Sequence, residues 1–468
     1  MERYNEKYER LRRRLAGKRV AVIGLGRSNI PLVRFLHGLG CEVTACDKKT
    51  REEMGSALDQ LAGLPVRYSL GPDYLQGAAG CAFLFVTPGI PKDLPEIRAA
   101  VAAGATLDSE MGLFLSLCRA PVIGITGSVG KTTATTIAGE ILRADGKTVH
   151  VGGNIGRPLL TEAEKIAPDD IVVLELSSFQ LQMLQQSPHI AAVLNIIPNH
   201  LDQHRSMEEY IEAKKNVFRF QQPEDYVILN ADNPVTAAMA DAASGQVLRL
   251  SGEREVERGV FVRDGQIIYR NGGLEETVCS LAEINVPGRH NVENIMAVAA
   301  ATKLAGAGGE AIRQVVRTFA GIEHRLEFVR EVAGVKYYND SKATTPQSTM
   351  AAIRAFDVPV VLIAGGYDKH VPFDAMGDAI VASTVKTIVL IGVTAGQIRE
   401  AIYRAAERAG QEPTVRLAAT FADAVAAARA AAAPGEVVLM SPACASYDMF
   451  PNFEVRGAEF KRMVNELE

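Results

Sequence analysis

Two rhythms of apolar residues run along this chain. Compact, largely β-branched runs end on a glycine or an acid, and longer stretches follow in which apolar residues return every three or four positions. KRVAVIGLG (18–26), CEVTACD (41–47) and AFLFVTPG (82–89) read as buried parallel strands, and SNIPLVRFLHGLG (28–40) as a helix stopped by glycine. From about residue 110 the pattern resumes. PVIGIT, TVHVGG, DIVVLELS and IAAVLNI are strands, GKTTATTIAGEILRADG is a helix, and SMEEYIEAKKNVFRF (206–220) is a helix with a capping serine and early glutamates. Residues 251–283 suit short antiparallel strands, with two helices near 290–305 and 309–319. Beyond residue 321, VKYYND, VPVVLIAGG, VKTIVLIG, TVRLA and EVVLMSP are strands between helical stretches, and the alanine-rich FADAVAAARAAAAPG is a helix with a proline-glycine stop. The expected fold class is α/β in three domains: Rossmann-like over 1–109, P-loop ATPase-like over 110–321, and Rossmann-like over 322–468.

A chain of 468 residues with 47% hydrophobic residues can form several cores. A net charge of −5 without a long basic run argues against a nucleic-acid or membrane-surface protein. The six cysteines are scattered without a C-x-x-C pair, as expected of reduced, mostly buried thiols. The charged start lacks an apolar segment, and no run is long enough to span a bilayer, so the expectation is a cytoplasmic protein.

The chemistry concentrates in GITGSVGKTT (124–133). The usual phosphate-loop spacing places a glycine five positions before Gly130, where Ile125 stands. The parts of a cradle are nevertheless in order: a strand, Gly127 and Gly130 for the turn, Lys131 to reach phosphate, and the Thr132 hydroxyl for Mg²⁺. Glu175 closes a strand and reads either as a solvated acid or as a metal ligand. His200 follows the next strand, and its neighbour His204 suits a non-ligand role. From spacing alone, Lys214 and Lys215 read as a solvated helix face. GLGRSN supplies Gly24 and Gly26 with Asp47 at the end of the second strand, but Asn29 occupies the third-glycine position of a dinucleotide turn. That turn is either a plain strand-to-helix connection or a site for another phosphate-bearing ligand. TPGIP (87–91) faces the same crevice.

Together, GITGSVGKTT, GGNIG, ELSSFQL, GRHNVENIMA, HRLE, NDSKAT and SPACASYDMFPNFEVRGAEF resemble the Mur ligases of peptidoglycan synthesis over almost the whole chain. The family's loop is G-x-T-G-[ST]-N-G-K-[ST], so the tight spacing is the family's own. Val129 replaces its asparagine, which removes a side-chain contact and leaves the backbone cradle. Asn199 and Gln203 also depart from the commoner P-D-H-L-D-R-H. The D-glutamate-adding branch matches best. The resemblance implies ATP-driven amide formation through an acyl phosphate, in a monomer acting on UDP-N-acetylmuramoyl-L-alanine and D-glutamate, with no nucleic-acid or membrane partner.

It also implies the site. Lys131, Glu175, His200 and Lys214 are catalytic, with Lys214 carbamylated by CO₂, and two Mg²⁺ ions are held by Thr132, Glu175, His200 and Lys214. ATP falls to Gly127, Ser128, Gly130, Lys131, Thr132, Thr133, Asn291, Asn294, Arg325 and Asp340, with His324 nearby. The UDP substrate falls to Arg27, Ser28, Asp47, Gly89, Asn154 and Ser177, and D-glutamate to Lys342, Thr344, Lys369, Ser446 and Phe453.

Overall fold

A computed structural model describes residues 4–26, 28–198, 204–286, 288–369 and 371–467. Three sheets are present. Two lie in a compact unit formed by Met1–Glu283 and Val292–Arg317, and the third in a unit formed by Ile284–Asn291 and Thr318–Glu468.

The first sheet is entirely parallel, in the order Arg67–Leu70, Glu42–Asp47, Arg19–Ile23, Phe83–Val86, Thr106–Asp108. The Phe83–Val86 strand is buried at every position, as its unbroken apolar run requires. The central sheet has nine strands. From one edge they run Leu274–Ser280, Gln266–Asn271, Gly259–Arg263, Gln246–Ser251, Tyr226–Asn230, Ile190–Val193, Val122–Thr126, Ile171–Glu175 and Val149–Gly153. The first three are antiparallel to one another, matching the expectation for 251–283, and the rest are parallel. A continuous apolar core joins the first and central sheets through the helix Glu110–Leu117, where Met111, Leu113, Phe114 and Leu117 are buried. The third sheet runs Glu327–Val332, Val335–Asn339, Val437–Met440, Val360–Gly365, Val385–Ile391, Thr414–Leu417, with only the first pair antiparallel. Each of its faces carries its own apolar cluster.

Several elements depart from the sequence expectation, among them the strands Arg67–Leu70, Thr106–Asp108, Tyr226–Asn230 and Gln246–Ser251, which it did not contain. The charged N-terminal stretch forms the helix Tyr4–Leu15, whose Leu11 and Leu15 are buried; so few apolar positions make a thin periodic signal. The strand Glu327–Val332 was not foreseen, because only its last residue is buried and no alternation results. The helix expected over 206–220 spans Met207–Lys215. Beyond it the Ser187 hydroxyl donates to the Asn216 carbonyl (3.0 Å) and accepts from the Phe220 amide (3.0 Å), in place of helical bonding. All six cysteines are free and buried. Among the described residues no helix is long and apolar enough to cross a membrane.

Candidate active site

Four parallel strands of the central sheet end side by side, and the catalytic candidates follow them. Glu175 is the last residue of its strand and lies in register with Ile125 on one side and Gly153 on the other. The loop 127–130 follows Val122–Thr126, Asn154 follows Val149–Gly153, and Asn195 follows Ile190–Val193. Carboxyl ends of adjacent parallel strands are where an α/β sheet opens a crevice for ligands.

The loop takes a helix N-terminus as its floor. Gly130 caps the helix Lys131–Ala144 with φ +87°, a left-handed conformation costly for any residue with a Cβ, and a Cβ there would strike the Asn294 carboxamide. Asn294 is buried, so this contact also sets how closely the helix Arg289–Leu304 approaches the loop. The first amides of the helix have no intrahelical acceptor and favour an anion. Lys131 Nζ donates to the carbonyls of Gly127 (2.9 Å) and Ser128 (3.1 Å), folding over the loop that precedes it. Thr132 and Thr133 occupy the first turn and are half-buried. The Ser128 hydroxyl is directed inward, donating to the Ile197 carbonyl (2.9 Å) and lying 2.9 Å from the Tyr210 hydroxyl.

Glu175 is 2% exposed, which removes the solvated reading of this acid. Its Oε1 accepts from Asn154 Nδ2 (2.9 Å), while Oε2 is buried without a hydrogen-bond partner among the described residues. Gly153, at φ +97°, lets the two strands close up here, since a Cβ would collide with the Glu175 carbonyl. An orphaned buried carboxylate oxygen is costly unless a cation completes it, and with the Thr132 hydroxyl on the adjacent helix the donor set suits Mg²⁺.

Lys214 corrects the expectation of a solvated face. It is 1% exposed, and its Nζ donates to Thr126 Oγ1 (3.2 Å) and the Gly127 carbonyl (2.9 Å) while lying 4.8 Å from the Tyr210 ring centre. No acidic side chain pairs with it among the described residues. Burial, followed by the nearby Lys131 charge, holds its pKa well below the usual lysine value. The next lysine, Lys215, is half-buried and pairs with the exposed Glu212 (2.7 Å), so one helical step separates a lysine that reaches the surface from a buried one. His204 is buried with Nε2 2.9 Å from Ser178 Oγ and its ring stacked on Phe179 at 4.8 Å. His200, Asn199, Gln203 and Arg27 lie outside the described residues. Among the described residues no cluster of three His, Cys, Asp or Glu side chains could hold a metal by itself.

In the first sheet, Asp47 anchors the turn expected to meet the UDP end, with Oδ2 accepting from the Leu25 amide (2.7 Å) and Oδ1 from the Lys49 amide (3.0 Å). Asn29, in the third-glycine position, is buried and donates to the Gly24 carbonyl (2.8 Å), so its side chain stitches the turn shut. Ser28 caps the following helix without a side-chain bond. Gly89 borders a cleft of about 480 Å³ shared with Phe179, Gln182 and Glu209 of the central sheet's helices. Lys92 lines the same cleft, and burial lowers its pKa to about 8. Ser177 forms a capping box with Gln180.

The expected glutamate residues gather at the strand ends of the third sheet. The Lys342 amide donates to the His324 carbonyl (2.9 Å), and Lys369 Nζ reaches the Thr344 carbonyl (3.4 Å). The Ser446 hydroxyl is buried without a hydrogen-bond partner among the described residues. Phe453 meets the His324 ring edge-on at 6.0 Å. Asp340 accepts from Ser441 Oγ (2.7 Å) and the Leu326 amide (3.2 Å), and burial pushes its carboxyl up to about 7. Arg325 is exposed, while His324 is buried with a left-handed backbone at φ +63°. Asn291 is buried, and its amide donates to the Gly288 carbonyl (3.0 Å).

Arg456 was missed from the sequence. It is 1% exposed and donates to the carbonyls of Ser341 (2.8 Å), Cys444 (3.1 Å) and Ala445 (3.2 Å) and to Ser341 Oγ (3.0 Å). It ties together the loops bearing Lys342 and Ser446. It lies within the SPACASYDMFPNFEVRGAEF stretch, so the motif marked the region, but a charged residue in a helix gives no sign of such burial.

Sequence models of the Mur ligase MurD-like N-terminal domain, the Mur ligase middle domain and the Mur ligase glutamate ligase domain match residues 18–108, 125–302 and 324–444. A UDP-N-acetylmuramoylalanine–D-glutamate ligase of Symbiobacterium thermophilum is 52% identical over 454 residues, covering 96% of this chain and 98% of that protein. The chain belongs to the Mur ligase family. Another relative of the same name, from Acetivibrio thermocellus, is 45% identical over 466 residues, covering 99% of this chain and 100% of its own length. The fold is also that of more distant Mur ligases. A crystal structure of MurF from Acinetobacter baumannii aligns with a TM-score of 0.57 at 17% identity over 98% of each chain. UDP-N-acetylmuramate-alanine ligase MurC from Thermotoga maritima aligns at 0.53 and 16% identity, covering 96% of this chain and 99% of its own. The three-domain α/β architecture expected from the sequence is that of this family.

Proposed function

We propose that this chain is an ATP-dependent ligase that adds D-glutamate to UDP-N-acetylmuramoyl-L-alanine, giving ADP and phosphate. The observation carrying the reading is near-complete coverage of relatives bearing that name at 45–52% identity, in a chain whose Lys131 and Lys214 both donate to the Gly127 carbonyl while Glu175 ends the adjacent strand. The alanyl carboxylate oxygen attacks the γ-phosphorus of ATP, the bond to ADP breaks, and an acyl phosphate forms. The amine of D-glutamate then attacks the acyl carbon. The tetrahedral adduct collapses with loss of phosphate, and the amine proton leaves to solvent or phosphate.

The first step brings an anion onto a polyanion. Two like charges about 4 Å apart repel by about 4 kcal/mol at an effective dielectric near 20. Lys131, lifted from the Gly127 and Ser128 carbonyls, supplies a fixed countercharge, and the helix amides from Gly130 onward supply donors. Thr132 and Glu175 would hold one Mg²⁺, and His200 with a carbamylated Lys214 a second; a cation bound there neutralises charge on the phosphoryl oxygens. What supports carbamylation is full burial of Lys214 without an acidic partner among the described residues.

Gly127, Ser128, Thr133, Asn291, Asn294, Arg325 and Asp340 complete the ATP side in this reading. Arg27, Ser28, Asp47, Gly89, Asn154 and Ser177 serve the UDP substrate, and Lys342, Thr344, Lys369, Ser446 and Phe453 serve D-glutamate. The orphaned Ser446 hydroxyl supports the last assignment. The division into domains 1–109, 110–321 and 322–468 is supported by one sheet falling in each range. The enzyme acts as a cytoplasmic monomer. The test is phosphate release with ATP and UDP-N-acetylmuramoyl-L-alanine. Release that requires D-glutamate bears the reading out, and release indifferent to both substrates overturns it.

A further inference from the structure

The departure at Val129 raises a mechanical question. A loop that must hold its amides toward a triphosphate carries a valine 46% exposed to solvent where the family's pattern has an asparagine. Something else has to fix the backbone on either side of it.

The neighbouring strand supplies the means. Asn195 lies two residues beyond Ile190–Val193, which pairs in parallel with the loop's own strand. Its carboxamide grips Val129 at both backbone groups, with Oδ1 accepting from the Val129 amide (3.0 Å) and Nδ2 donating to the Val129 carbonyl (3.2 Å). Its main-chain carbonyl accepts from the Ser128 amide (2.9 Å). Leu194 Cβ and the Asn195 amide nitrogen lie against Gly127, at 3.1 and 3.5 Å from where a Cβ would stand. Asn195 itself is buried, so its carboxamide is held in place on the inner side of the loop while the Val129 side chain faces solvent.

We infer that Asn195 is the positioning residue of the ATP loop, standing in from the next strand for the side chain that Val129 lacks. It engages the amides of Ser128 and Val129, leaving the phosphates to the amides from Gly130 to Thr133 at the helix N-terminus. By holding Ser128 it also fixes one of the two carbonyls on which Lys131 rests. This rests on the ATP site proposed above.

Asn195→Ala removes two hydrogen bonds to one loop residue, and a typical bond of this kind corresponds to about a threefold to tenfold change in affinity. The measurements are steady-state KM for all three substrates and calorimetric titration with ADP, on protein whose circular dichroism and melting temperature match the parent. The expected result is an ADP Kd and an ATP KM raised about tenfold or more, with KM for D-glutamate and the UDP substrate unchanged. Val129→Asn in the same background should recover part of the loss, because the loop regains a side chain of its own. If Asn195→Ala does not fold, Asn195→Asp carries the same comparison, since it keeps the shape and the acceptor but loses the donor. An ATP KM within twofold of the parent, or all three KM values moving together, overturns the inference. Unaltered ADP binding by Lys131→Ala would instead remove the ATP site itself.

Discussion

Glu110 offers a sharp test of the electrostatics of the core that joins the first two sheets. It opens the helix Glu110–Leu117, whose N-cap Ser109 accepts from the Gly112 amide (3.1 Å), and it is 8% exposed. Its Oε1 accepts from the Leu160 amide (3.3 Å), a bond that favours the charged form, as does the helix N-terminus. Burial outweighs both and pushes the carboxyl up to about 7 from an ordinary 4.5. The folded state therefore binds this proton more tightly than the unfolded chain does. Its stabilising contribution is fully present below about pH 4.5 and is lost as pH rises through about 7. At 1.36 kcal/mol per unit, the loss by pH 8.5 is about 3 kcal/mol. Glu110→Gln keeps the acceptor for Leu160 and cannot ionise. Relative to the parent, it should gain up to about 3 kcal/mol between pH 5 and pH 8.5, or roughly 5 °C in the first melting transition. Asp108, also raised by burial and lying near Arg14 (3.6 Å), is present in both proteins and cancels in the difference. Thermal melts of both proteins at the two pH values are sufficient. An equal parent-to-variant difference at both would show that Glu110 is not held protonated by the fold, and the argument from its burial would fail.

Other consequences can be checked at the loop and beside it. Lys131→Ala should lower kcat at least about a thousandfold, the rate equivalent of one uncompensated 4 kcal/mol repulsion; near-normal turnover by folded protein would remove this lysine from the chemistry. Gly130→Ala forces a Cβ into left-handed backbone and against Asn294, so ATP KM should rise about tenfold from strain of about 1–2 kcal/mol, which ADP calorimetry would read. Lys214→Ala should abolish activity, and ¹³C-bicarbonate should give a carbamate resonance in the parent that this variant lacks; an active variant, or a resonance that persists in it, would refute the assignment.

Much of this protein was legible in one dimension. The apolar runs at 20–23, 83–86 and 122–126 are buried at every position in parallel sheets, a pattern that depends only on local spacing. Gly130 and Lys131 could be placed where a turn meets a helix N-terminus because strand, turn and helix are contiguous in sequence. Other features depended on contacts between distant segments. Lys214 and Lys215 are adjacent in sequence, yet only the first is buried at the loop, since which helix face meets Thr126 is decided by packing 88 residues away. Asn195 stands in a plain strand-end run and Arg456 inside the SPACASYDMFPNFEVRGAEF stretch, yet neither position shows its partners in sequence, and their meaning lies in the carbonyls and amides they meet across strand and helix ends. Local periodicity determined the elements and the order of the sheets' strands remained open to it. Burial, orphaned oxygens and shifted proton affinities came only with the tertiary structure, because desolvation and hydrogen bonding are properties of surroundings assembled from remote parts of the chain.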